Sequence, residues 1–444
     1  MKLRRRQCLA FGVAAVGLGG CQSLGWLGDP EEPPLPGKRI PVMLIDEGVE
    51  ADPRLANLRV VLPPPRRNGE WTQTGGNATH AMHHLALAET PSLAWRADIG
   101  SGSSGERKLL SQPVAAGGRV YTVDTSLEVR AFDLASGRPV WKTAPELVET
   151  VDRLTAGGLA HADGRLYMST TSGEVFGLSA ADGSVIWHRP LLAPILAPPA
   201  VFGGLVFIVT ADNRLLAMNA EDGRPVWQHA GLFEQTGILG GAPVATDGRT
   251  VIAAYSSGEV FALRFRDGRV IWSDSILRPR RTLGLGAISD ITGAPVIDGD
   301  RVYVVGNGGE MAAFALDRGS RFWDADLTSR ETPWIAGEFI YLLTDRNEIV
   351  CLLRRGGRVR WVSPFARLVD PDDPTSARII WSAPVLAGDR LVLAGSTAEA
   401  VSVSPYTGEV LGRIGLPAPV RIAPVVVDAT LLLLTENGDL LAYR

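Results

Sequence analysis

Few residues in this chain have the type and spacing for chemistry. His80, His83 and His84 in "THAMHHL" hold half of the six histidines. Imidazoles this close could ligate a metal ion, but no Cys or acidic ligand completes the set, so they are expected at the surface without a metal. "GSGSSG" (100–105) matches G-x-G-x-x-G literally. It follows a strand-like run yet opens no apolar helical pattern, so it reads as a flexible loop and not as a dinucleotide turn. Cys351 lies in the apolar run "EIVCLL" with no activating neighbour, which makes it a small buried hydrophobe. No side chain is left as a catalytic, cofactor-binding or metal-ligating candidate.

The N-terminus has chemistry of another kind. Lys2, Arg4, Arg5 and Arg6 precede an apolar run, Leu9 to Leu18, that is too short to cross a bilayer as a mature helix and reads as a secretory signal. It ends in Leu18-Gly19-Gly20-Cys21, which resembles the lipobox of bacterial lipoproteins. That resemblance implies removal of residues 1–20 and a diacylglyceryl group on the Cys21 thiol. Gln22 stands where Asp would resemble an inner-membrane retention signal, so an outer-membrane anchor facing the periplasm is expected. With Cys8 removed and Cys21 acylated, no intrachain disulfide can form. Residues 21–89, with "GDPEEPPLPGKR" and "VVLPPPRRNGE", are Pro-rich and polar and read as a lipidated tether. Lys+Arg 44 against Asp+Glu 48 leaves a net charge of -4, without the basic face that nucleic acid requires.

The elements that must carry any function come from residues 90–444, where one pattern recurs every 40 to 50 residues. A small or Pro-containing segment such as "GAPVIDGD" (293–300) leads to a β-branched run such as "RVYVV" (301–305). A polar turn, an alternating segment and a Gly turn to Trp follow. Each piece has strand length and alternating polarity, so one unit is four antiparallel strands. Gly137, Gly183, Gly223, Gly268, Gly319 and Gly357 each stand four residues before Trp141, Trp187, Trp227, Trp272, Trp323 and Trp361. The glycine allows the positive φ of a tight turn, and the indole offers a flat apolar surface that only a neighbouring sheet can bury. Those Trp side chains are therefore structural.

Eight units open near Gln112, Gly157, Ala197, Gly241, Gly293, Thr332, Ser382 and Ile422. The seventh has Gly412 in place of Trp, so its outer strand should pack less well. The eighth, ending in "TENGDLLAYR", lacks a fourth strand, while "PSLAWRADIG" (91–100) is an orphan strand with Trp95 in the outer-strand position. The expected fold is all-β, an eight-bladed β-propeller of four-stranded antiparallel blades, closed when the N-terminal strand completes the C-terminal blade. The innermost strands should then expose edges on the channel, which suits the prolines near their starts.

The units "AFDLASGRPVW" and "AMNAEDGRPVW" resemble the tryptophan-docking repeat of pyrroloquinoline-quinone (PQQ) type propellers. With the lipobox and the short connections, the chain resembles the BamB family of outer-membrane assembly lipoproteins. The resemblance implies a non-catalytic scaffold that binds the POTRA domains of a BamA-like barrel insertase and supports insertion of β-barrel proteins. Its contact loops fall on "EQTGILGG" (234–241) and "LGAISDITGAPV" (285–296). Asp290 takes the first of two acidic contact positions and Thr292 the second. Ile238, beside Leu239, stands where the family has its contact Arg, with Arg278 and Arg281 nearby in sequence. Two other readings remain: a PQQ-dependent quinoprotein dehydrogenase and a generic periplasmic interaction propeller. The dehydrogenase would need a carboxylate base and a Ca²⁺ site beside the quinone, and its alcohol-oxidising form adjacent cysteines that one thiol cannot supply.

Overall fold

The computed structural model describes residues 48–148, 156–191, 193–234, 241–276, 290–308 and 310–444. The signal, Cys21 and residues 22–47 of the Pro-rich stretch lie outside the described residues, as do Ile238, Leu239, Arg278 and Arg281. Eight four-stranded antiparallel sheets form the propeller. Blade 1 consists of Val114–Ala116, Arg119–Val123, Val129–Asp133 and Pro139–Thr143, paired in that order. Blades 2 to 7 repeat the order over 156–190, 200–230, 245–275, 296–325, 334–364 and 385–415. Blade 8 joins Val425–Val427, Thr430–Leu434 and Asp439–Tyr443 to an outer strand from the N-terminal side, Leu93–Asp98. The ring closes by the exchange that the sequence pattern anticipates.

One device holds adjacent blades together. In each outer strand an extra residue is inserted just before the Trp position: Trp141 faces Ala131 while Pro139 faces Phe132, leaving Val140 unpaired. Such a bulge re-aims the side chain that follows it. The residue facing the Trp within its own sheet is small throughout: Ala131, Gly177, Ala217, Ala262, Ala313, Cys351 and Ala442. Cys351 is therefore a small apolar filler opposite Trp361, and burial pushes its thiol well above the ordinary range.

Each indole then lies on the turn glycine of the next blade. A Cβ on Gly137, Gly183, Gly223, Gly268, Gly319, Gly357 or Gly408 would come within 2.4–2.7 Å of the preceding blade's Trp, and all seven have φ between 65° and 81°. The indole Nε1–H donates to the carbonyl three residues before that glycine, from Trp95 to Leu134 through Trp361 to Pro405, at 2.8–3.2 Å. The eighth interface, from blade 7 to blade 8, has no such clamp. Gly412 faces open space, and all six residues of Val410–Gly415 are exposed, as its missing Trp implies. Blade 8 has no turn glycine to receive an indole either, because its outer strand is not joined to its third strand by a hairpin. A strap bridges the gap instead. Ala88 O accepts from Arg390 of blade 7, and Ser92 exchanges backbone bonds with Arg444 of blade 8.

The inner strands do not present free edges to the channel. Residues 66–88, part of the stretch read as a tether, run one lap around the inside of the ring and contact every blade in turn. Asn68 O accepts from Asp428 N (blade 8), and Trp71 exchanges two backbone bonds with Ala115 (blade 1). Thr72 O accepts from His161 N (blade 2), and Gln73 Oε1 from Val201 N (blade 3). Ala78 O accepts from Thr246 N (blade 4), Thr79 O from Ile297 N (blade 5), and His83 O from Trp334 Nε1 (blade 6). Leu85 closes the lap with Leu386 O and Gly388 N (blade 7). Backbone groups on the inner strands of blades 1 to 5 and 7 thus find partners in one plug, which reaches blade 6 through the Trp334 indole and blade 8 through the Asp428 turn.

The histidines expected at the surface belong to this plug, which corrects that reading. His80 and His84 are buried, and their Nδ1 atoms donate to the carbonyls of Pro295 and Pro63. His83 Nε2 lies 3.6 Å from Asp298. Their chemistry is to satisfy carbonyls inside the ring.

Candidate functional site: the inter-blade loops and the central funnel

The connections between blades gather at one end of the ring with the turns between second and third strands. Between blades 3 and 4, Gly231 N donates to Asn213 O, Asn213 Nδ2 to Leu232 O at 2.6 Å, and Leu232 N to Glu259 Oε2 at 2.7 Å. This pinned backbone holds out Leu232 and Phe233, each 65% exposed. Neither was singled out from the sequence. The available signal was an apolar pair beyond the end of an outer strand, where no sheet remains to bury it.

Asp290 lies close by. It is only 4% exposed, its carbonyl accepts from Asn307 N, and it shares a cavity of about 170 Å³ with Asn213, Glu234 and Gly241. Thr292 is half-buried, donates its hydroxyl to Arg330 O at 2.9 Å, and lines a different, central cavity. The two acidic-position residues thus face separate spaces, and Asp290 is brought beside Glu234, next in sequence to the exposed apolar pair.

The central cavity is a funnel of about 500 Å³ whose floor is the plug. Its walls include Leu109, Leu196, Pro198, Pro243, Trp334 and Ile422; its floor includes Trp71, Thr74 and His80. Trp71 stacks on Trp334 with ring centroids 6.4 Å apart. Among the described residues, no group of three or more His, Cys, Asp or Glu side chains converges in a way that could hold a metal.

One funnel residue has a titration consequence. Burial pushes the Glu331 carboxyl up to about 7; Asp345 adds to the rise, while the Ala383 N–H and Arg330 oppose it. The folded state therefore holds this proton over a range where the unfolded chain has released it. The stabilising contribution is complete below the unfolded value of 4.5 and is lost as pH rises through about 7. Glu331→Gln should thus gain stability relative to wild type at pH 8 and little at pH 4. Thermal melts of both proteins at the two pH values check the sign.

The model of the family described as outer membrane protein assembly factor BamB matches residues 125–363, more than half of the chain. The chain belongs to the BamB family. Curated BamB proteins agree. That of Shewanella oneidensis is 25% identical over 358 residues, covering 79% of this chain and 88% of its own; that of Xanthomonas campestris is 27% identical over 355 residues, covering 79% and 85%. Both are named as outer membrane assembly factors. The crystal structure of BamB from Moraxella catarrhalis superposes with a TM-score of 0.68 at 17% identity, covering 80% of this chain and all of that one. A quinohemoprotein alcohol dehydrogenase from Comamonas testosteroni gives 0.63 at 14% identity, covering 85% and 81%, a likeness of fold alone. Among the described residues of the blade 3–4 and 4–5 connections, Leu232 and Phe233 are the exposed apolar pair, while Asp290 beside them is buried.

Proposed function

We propose that this chain is a non-catalytic scaffold of outer-membrane β-barrel assembly, held to the membrane by a diacylglyceryl group on Cys21 and facing the periplasm. It docks the POTRA domains of a BamA-like insertase on the blade 3–4 and 4–5 connections and so supports insertion of barrel proteins. Family membership, set by the match over 125–363, carries the reading. The exposed Leu232 and Phe233 support the choice of face, since apolar anchors on a pinned backbone lose little entropy on docking. Anchoring both partners at one membrane raises their effective concentration, so contacts of modest strength suffice.

Co-purification of the insertase with the membrane-extracted protein tests this. Leu232→Asp with Phe233→Asp should lower recovery about tenfold or more, the loss typical of a central apolar anchor. Val369→Asp, at a position 59% exposed on the blade 6–7 connection, should leave recovery unchanged. If wild type recovers no insertase, the scaffold function fails; if wild type recovers it and the double variant recovers it undiminished, the function stands and the docking site is elsewhere.

A further inference from the structure

The chain covers one of its own outer strands and leaves a near copy of that strand bare. Residues 48–58 run antiparallel to the outer strand of blade 6, Val359–Pro364. At one end Val49 N donates to Glu348 Oε2 at 3.5 Å, and Glu348 is paired with Pro364. At the other, Asp52 N donates to Val359 O at 2.8 Å. Further on, the Leu58 carbonyl accepts from Arg360 Nε at 2.8 Å. The Asp52 carboxylate is bound to Arg54 of its own segment at 2.7 Å and lies 3.8 Å from Arg358. Val49 packs, with Val359 and Val362, against the core between blades 5 and 6. Val359 and Arg360 are accordingly half-buried.

Blade 4 repeats that strand without the cover. Gly357-Arg358-Val359-Arg360-Trp361 in blade 6 corresponds to Gly268-Arg269-Val270-Ile271-Trp272 in blade 4. The bulge is at the same place: Val359 faces Leu352 and Trp361 faces Cys351, as Val270 faces Leu263 and Trp272 faces Ala262. Val270 therefore offers the carbonyl that Val359 gives to Asp52. Yet Val270 is 51% and Ile271 42% exposed. The turn before them is cationic. Arg264, Arg266 and Arg269 stand around one acidic residue, Asp267, whose carboxylate pairs with Arg264 at 3.3 Å and with Arg269 at 3.5 Å. The other hairpin-joined outer strands differ: blades 1 and 3 have Pro139 and Pro225 at the Val position, blades 2 and 5 have Ser184 and Ser320 at the Arg position, and blade 7 has Glu409 there. At the far end of the blade 4 strand, Glu259 corresponds to Glu348 and holds Leu232 N at 2.7 Å, so Leu232 takes the place that Val49 has on blade 6.

We propose that the outer strand of blade 4 docks an extended, acidic segment of a partner protein. The segment donates a backbone N–H to Val270 O, sets a carboxylate against the Arg269 turn and lays apolar side chains on Val270 and Ile271. Extended segments laid on a strand gain affinity from main-chain bonds and specificity from the side chains beside them. Ile271 stands where blade 6 has the polar Arg360, so blade 4 suits a more apolar segment than residues 48–58. The surface begins beside Leu232 yet does not depend on insertase docking.

The probe is the acetylated peptide EADPRLANL, residues 50–58, since Leu232 fills the place of Val49. The chain from residue 21 onward, with ¹³C-labelled isoleucine methyl groups, is titrated while the Ile271 Cδ1 resonance is followed by NMR. Blade 6 has Arg360 at that position, so exchange with the chain's own segment there leaves the signal unmoved. The peptide should shift it saturably with a Kd of about 1 mM, as expected for one backbone bond and a small apolar contact. N-methylation at Asp52 of the peptide removes the donor and should weaken binding about fivefold or more. Arg269→Glu should weaken the native peptide about fivefold and favour a peptide carrying Asp52→Lys. Arg269 is exposed, so this variant should melt as wild type does; if it melts early, the N-methyl peptide on wild type decides alone. No saturable shift, an N-methyl peptide that binds as tightly, or unaltered affinity in folded Arg269→Glu would each overturn the proposal. A dimer of the unligated chain that Arg269→Glu dissociates would give the strand to a second copy and overturn it as well.

Discussion

A chain beginning at residue 101 is expected not to yield a folded monomer, whereas a chain beginning at residue 91 should fold with lowered stability. The first truncation removes Leu93–Asp98, the outer strand of blade 8. Asp439–Tyr443 then becomes an unpaired edge made of largely buried residues, an invitation to association between chains. It also removes Trp95, which clamps blade 8 to blade 1 through Leu134 O at 3.0 Å. Loss of a buried Trp alone costs about 3–5 kcal/mol, and a whole domain is stable by only about 5–15 kcal/mol. The second truncation keeps that strand but removes the plug, so the inner edges exchange protein hydrogen bonds for water at about 1 kcal/mol each. Size-exclusion chromatography and denaturant melts of both proteins decide the matter. A monomer from residue 101 melting like wild type would show that the N-terminal strand does not hold the ring shut.

The contrast between these truncations marks where sequence reasoning succeeds. The blades were legible because each repeats a local rule: alternating polarity, a Gly turn, then Trp. Repetition lets even the defective copies be recognised, such as Gly412 in blade 7 and the orphan Trp95 strand. The plug follows no such rule. It contacts the eight blades one after another, mostly through its own backbone groups, so its side chains need no period, and the segment's Pro content imitates a tether. His80 and His83 adopt positive φ, at 61° and 56°, a left-handed conformation that histidine tolerates better than most residues but that the local sequence does not mark. The burial of Asp290 was equally hidden. The resemblance gave its position in a loop, but its exposure depends on how blades 3, 4 and 5 meet. Leu232 and Phe233 are legible in the sequence as an apolar pair past a strand end, but their 65% exposure is set by the tertiary structure.

The same reasoning predicts an asymmetry between two tryptophan exchanges. Trp187→Ala removes an indole that rests on Gly223, packs beside Tyr167 at 6.1 Å and donates to Ala220 O at 3.0 Å. It should lower unfolding free energy by about 3–5 kcal/mol, read from urea melts with an unchanged m-value. Gly412→Trp restores the repeat in blade 7 yet should change stability by no more than about 0.5 kcal/mol. An indole there would meet no turn glycine and no carbonyl three residues before it, because blade 8 receives its outer strand from the other end of the chain. If Gly412→Trp stabilised the protein as much as Trp187→Ala destabilises it, the indole would owe its effect to area buried within its own blade. The clamp across blades would then not be what holds the ring. A neutral outcome beside a large loss at Trp187 ties the stabilisation to the paired geometry of indole, glycine and carbonyl, and makes the strap over residues 87–92 the substitute at the one interface where that geometry cannot form.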